Sequence, residues 1–188
     1  AINPGARSVE FKDEIMGRLI RFVSAHEVGH TLGLPHNMGS SVAFPVDSLR
    51  SASFTQKYGT APSIMDYARF NYVAQPGDEG VALMPNIGVY DKYAISWGYR
   101  PILDVKAEDE KPILNEWILK NADDPMYRFG HQQVGDVVDP SSQTEDLGDD
   151  AVKASNYGIA NLKRILPQLR EWTTEEGEDY SDLSEMYG

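Results

Sequence analysis

Residues 24–37 read SAHEVGHTLGLPHN, and three of the four histidines of this 188-residue chain lie within them. His26 and His30 are four apart, so on a helix both imidazoles fall on one side, one turn apart. Two ring nitrogens can then converge on one ion at about 2 Å from each. Glu27 follows His26, rotated about 100° around the helix axis. It can reach a water on such an ion without being a ligand itself. That is the HExxH arrangement, two ligands and a general base. Gly33 allows a sharp turn out of the helix, and His36 can come round from outside it as a third nitrogen ligand. Three neutral imidazoles with one open position is the donor set of a catalytic zinc rather than a structural one. The five positions His26, Glu27, His30, Gly33 and His36 together match by chance on the order of once in a million starting points. The competing reading is a helix whose histidines do no metal chemistry.

Around this stretch the pattern is mainly α-helical. Phe11, Ile15, Leu19, Phe22 and Val23 recur at helical spacing, which predicts a helix over 8–34 ended by Gly33 and Pro35. Residues 37–63 are rich in Ser, Gly and Pro and read as a long surface loop, a feature usually tied to function. SIMDY (63–67) reads as a tight turn, and 73–88 as another loop. A second helix is expected over 89–98, with Val89 or Tyr90, Tyr93, Ala94 and Trp97 inward and Gly98 at its end. A third is expected over 109–121, capped by Asp109, with Ile113, Trp117 and Ile118 inward. A fourth covers about 149–166, with Val152, Ile159, Leu162 and Leu166 as its core face and Pro167 ending or kinking it. At the end of the chain, TTEEGEDYSDLSEMYG reads as a capped helix start at Thr174. Both ends look cut, so the chain is expected to be a single-domain fragment of a longer parent. Residues 1–100 would hold the motif helix, long loop, turn and second helix, and 101–188 a helical extension.

Composition narrows the function. Seventeen Lys and Arg against 29 Asp and Glu give a net charge of −12, which argues against a nucleic-acid partner. There is no cysteine, so disulfide and thiolate chemistry are excluded. No run of apolar residues is long enough to span a membrane. His131 reads as a surface or core residue. The acidic loop 136–150, DVVDPSSQTEDLGDD, has six carboxylates but no EF-hand spacing. It reads as a solvated loop with Asp149 or Asp150 at a helix N-terminus. The three tryptophans read as packing.

HEVGHTLGLPH resembles the metzincin signature HExxHxxGxxH at all five fixed positions. SIMDY resembles the Met-turn that follows the third histidine in that clan, with Met65 lying beneath the ligands. In astacin-like and serralysin-like members a tyrosine two residues after the methionine reaches the zinc or the reacting oxyanion, and Tyr67 stands at that offset. GVYDKYAISWGY (88–99) is similar to the helix that follows the Met-turn. PSIMDYARFNYVAQPGD and YGIANLKRILPQL are similar to segments of large bacterial zinc-dependent metalloproteases of the Met-zincin type, which are several times longer and usually exported.

The resemblance implies a zincin-like fold and zinc-dependent hydrolysis of protein or peptide substrates. Zn2+ would be held by His26, His30 and His36, with Glu27 and Tyr67 catalytic and Gly33 and Met65 structural. It implies a secreted, periplasmic or outer-surface location. It also implies that this piece holds the lower subdomain only, since the upper β-sheet subdomain cannot fit in the residues before His26. Asn37 departs from the acidic residue that several metzincin families place after the third histidine. Two other readings compete: a non-catalytic zinc-, peptide- or partner-binding module, and a half-domain inert until joined to its sheet.

Overall fold

The computed structural model describes residues 11–68, 70–136 and 138–188. It is mainly helical, and among the described residues the only strand-like pairing is an isolated antiparallel bridge between Asn37 and His131. The motif helix, α1, spans Asp13–Thr31. Asp13 and Glu14 in its first turn complement the helix dipole. The start expected at Ser8 lies outside the described residues, and Phe11 and Lys12 precede the helix. At the other end Gly33 takes φ +83°, the left-handed conformation that suits glycine. The face expected to be buried is only half so. Phe11, Ile15, Leu19 and Phe22 are partly covered, Val23 is exposed, and His26 and Gly29 are the buried residues of α1.

Half of the core cluster lies in the stretch expected to be surface loop: Phe44, Val46, Leu49 and Ala61 cluster with Ala68, Val73, Leu147 and Ala154. This stretch is also less irregular than its composition suggests. It contains two 3-10 turns, Ser41–Ala43 and Val46–Arg50, and a short helix α2, Ala52–Tyr58. Ser51 caps α2 by accepting from the Phe54 N–H, and Gly59 (φ +74°) ends it. Phe54 and Tyr58, one turn apart, put their rings against the core beside Phe44. Two turns are too few to show a period, which is why α2 is hidden in the sequence.

Helix α3 spans Val89–Tyr99, running through Gly98 to stop before Pro101. The third helix is shorter than expected: a 3-10 turn at Ala107–Asp109 precedes α4, Lys111–Leu119. Asp109 therefore sits in the 3-10 turn, and the N-cap position is Glu110. Ile118 points outward, while Leu114 beside Ile113 is partly covered. The Trp97 indole N–H donates to Leu114 O, and the Arg100 guanidinium lies over the Trp117 ring, so these two tryptophans tie α3 to α4.

Helix α5 spans Ala151–Ile165 with Asp150 as N-cap. Its inward face is not the expected one. Val152, Ile159, Leu162 and Leu166 are all exposed, Val152 at 73 %. Ala154, Tyr157, Gly158 and Asn161 face the molecule instead. The reason is what α5 packs on. Residues 72–75 are irregular backbone whose carbonyls need donors, and the Asn161 amide supplies them to Tyr72 O and Ala74 O at 2.8 and 2.9 Å. Gly158 admits the Tyr72 ring. A small, polar face thus fits this partner better than an aliphatic one. A 3-10 turn at Leu166–Gln168, containing Pro167, bends the chain into α6, Leu169–Thr173. Thr174 closes α6, its hydroxyl donating to Arg170 O, rather than opening a helix; α7 follows at Ser181–Tyr187.

Candidate metal centre

Helix α1 presents His26 and His30 on one side, and the turn at Gly33–Pro35 brings His36 back over them. His36 Nε2 lies 3.3 Å from His26 Nε2 and 3.0 Å from His30 Nε2. Each ring is held from behind. His26 Nδ1 donates to Ile64 O at 2.8 Å, and His30 Nδ1 donates to Leu34 O at 2.9 Å. His36 Nδ1 donates to Gln132 Oε1 at 2.7 Å. Because carbonyl oxygens only accept, the Nδ1 atoms carry the protons and the three Nε2 lone pairs face one another. Three lone pairs in contact with no proton between them repel unless a cation joins them. Ligands about 2.05 Å from a tetrahedral zinc sit about 3.3 Å apart. The donor set and its spacing therefore fit zinc, and among the described residues these three histidines are the one group placed to hold a metal ion.

The turn over 63–67 packs against the helix that carries His26 and His30. Met65 is fully buried, and Asn37 N–H donates to Met65 O. A Cβ on Gly29 would overlap Met65 Sδ, so the fourth position of HEVGH needs glycine to seat the methionine. The turn is braced by Asp91 of α3. Its buried carboxylate accepts from Ser63 Oγ (2.6 Å), Ile64 N–H (2.8 Å) and Gly88 N–H (2.7 Å). Gly88 packs so tightly on Pro62 O that no side chain fits there.

Tyr67 is 40 % exposed, with its ring centroid 4.4 Å from that of His36 and 5.4 Å from that of His26. Glu27 is exposed on α1. A cavity of about 290 Å³ opens beside Tyr67, lined also by Phe22, Ala68, Phe70 and Glu145. His131 stays outside the group, exposed, its Nδ1 donating to Gln132 O. In the acidic loop, Asp149 accepts from Val46 N–H and Asp150 caps α5.

Residues 8–188 match the family model described as Met-zincin. The chain belongs to the Met-zincin family. No curated protein and no solved structure matches it. Membership makes zinc the metal implied for the histidine group and points to a zinc-metallopeptidase type of function.

Sequence reasoning missed four residues of this Met-zincin site: Gly29, Asp66, Asp91 and Gln132. Gly29 carried a signal, a glycine within a helix interior, where it is costly unless something packs on it. Asp91 carried one too, three residues after Gly88 at the start of α3. Asp66 and Gln132 carried none.

Asp66 is fully buried in the Met-turn. Its Oδ2 accepts from Ser40 Oγ (2.9 Å) and Ser41 N–H (2.7 Å), while Oδ1 has no partner among the described residues. Burial pushes its carboxyl up to about 7, with the Ser41 and Ser40 donors opposing and the nearby Asp146 charge adding to the rise. Between its ordinary range and about pH 7 the folded chain keeps a proton the unfolded chain has lost. This contribution to stability is therefore complete at low pH and is lost as pH rises through about 7. Asp66→Asn retains an acceptor without the charge. Its unfolding free energy is expected to fall less between pH 5 and pH 8 than that of the native chain, by on the order of 2–3 kcal/mol in denaturant titrations. Parallel pH profiles would contradict this.

Proposed function

We propose that this Met-zincin chain hydrolyses peptide bonds as a zinc metallopeptidase, with His26, His30 and His36 as the ligands. The observation that carries the reading is the convergence of three Nε2 lone pairs, each ring held by an acceptor at Nδ1. Bound there, zinc supplies Lewis acidity and makes water acidic enough to attack near neutral pH.

The chain's own groups then divide the remaining work. Glu27 follows the first ligand and is free of the core, so its carboxylate accepts the proton released by the attacking water and returns it to the leaving amine. Tyr67, against the His36 ring and partly open to solvent, directs its hydroxyl to the oxyanion that forms at the scissile carbonyl. Met65 packs tightly against Gly29 of the ligand helix, and Asp91 holds the turn that presents Ile64 O to His26. The cavity beside Tyr67, with Phe22 and Phe70 in its wall, receives a substrate side chain. Its aromatic lining suits an apolar one. The exported location typical of similar chains belongs to the same reading.

Elemental analysis of the purified protein tests the ligand set. The expected result is close to one zinc per chain, falling to background in a His30→Ala/His36→Ala double variant, and chelator-sensitive cleavage of a peptide library. Equal zinc content in native and double-variant protein would overturn it.

A further inference from the structure

We infer that Gln132 is a positioning residue for the metal centre, held in place by the strap over 128–132. The inference rests on the zinc reading above. His26 and His30 are fixed by the helix and by backbone carbonyls of Ile64 and Leu34. His36 lies beyond the helix end, past Gly33 and Pro35, and its Nδ1 partner is a side chain 96 residues away. Gln132 Oε1 selects the tautomer with the proton on Nδ1 and leaves the Nε2 lone pair facing the other two rings. Without that acceptor the ring can rotate, or carry its proton on Nε2 where the ion would sit.

The strap is built to put this amide in place. Asn37, next to His36, pairs with His131 in the antiparallel bridge. Its buried side chain spans the strap, donating to Arg128 O at 2.9 Å and accepting from Gly130 N–H at 2.8 Å. A carboxylate at this position could not donate to Arg128 O, so the departure from an acidic residue after the third histidine has a local reason. Gly39 N–H adds a bond to Gly130 O, and the two glycines approach so closely that a Cβ on Gly130 would lie 2.6 Å from Gly39 Cα. Gln133 points the other way. It accepts from the Val138 and Asp139 N–H groups and donates to Asp139 O and Ser142 O, folding the loop behind the strap.

Neighbouring glutamines with opposite duties give the test its control. Zinc affinity is measured by chelator competition on the native chain and on Gln132→Ala, Gln132→Glu and Gln133→Ala, with Co2+ d–d spectra as a second readout. Gln132→Ala is expected to bind zinc about 10–100-fold more weakly and to shift the cobalt bands. Gln132→Glu, which keeps an acceptor, is expected to stay within about threefold of native. Gln133→Ala is expected to lose thermal stability but keep native affinity and spectrum. Native affinity in Gln132→Ala, or Gln132→Ala and Gln133→Ala weakened alike, would overturn the positioning role and leave the zinc reading intact. A native chain that takes up no zinc would overturn the zinc reading and this inference with it.

Discussion

Glu27→Gln is expected to keep native zinc content and native thermal stability while lowering peptide hydrolysis by about 10²–10⁴-fold. The separation of these effects follows from where Glu27 lies. It is exposed on α1, outside the buried ring of contacts that hold His26, His30 and Met65. Exchange of one carboxylate oxygen for an amide nitrogen removes a proton acceptor and almost no volume, and such surface changes usually move stability by no more than about 0.5 kcal/mol. The measurement is kcat on a cleavable peptide beside metal content and Tm of the same preparation. A variant with full activity would remove Glu27 from the mechanism. A variant that loses zinc as well would make it part of the metal site instead.

Asp91→Ala is expected to cost about 4 kcal/mol of folding stability, more than the whole pH-dependent contribution of Asp66. Three donors, Ser63 Oγ, Ile64 N–H and Gly88 N–H, lose a charged and buried acceptor at once. Each unsatisfied buried donor costs about 1–3 kcal/mol. The damage should not stop at α3. Ile64 follows directly from the released Ser63 and carries the carbonyl that orients His26. Chelator competition should therefore show weaker zinc binding in Asp91→Ala even at temperatures where the chain stays folded. Denaturant unfolding with a midpoint unchanged from the native chain would refute the brace.

These two residues also mark what could be read from the chain alone. The histidines, Gly33 and the Met-turn are local: residues 26–36 and 63–67 each state their geometry in a few positions, and the structure brings them together. The expected helices over 8–34, 89–98 and 149–166 exist with boundaries moved by a few residues, because long apolar periodicity survives most tertiary contexts. What failed was the side α5 turns inward, and single positions, Val23 and Ile118, on α1 and α4. The α5 stripe Val152, Ile159, Leu162 and Leu166 has helical spacing and still faces outward, since a partner made of bare carbonyls selects Asn161 and Gly158. The core at Phe44, Val46 and Leu49 was hidden for the converse reason: short turns bury apolar residues without repeating them. Gln132 was illegible because only a bridge formed across some ninety residues gives it meaning.

The bridge between Asn37 and His131 has a consequence in time. Local helix forms in about a microsecond, whereas contacts between distant residues wait on the slower search of the whole chain. During synthesis the three histidines emerge long before residue 132, at about 5–20 residues per second. For several seconds the growing polypeptide displays the ligands on a helix whose floor and rear support are still being made. The proposed metal centre thus gains its rear support at His36 only once the downstream half of the chain has joined it.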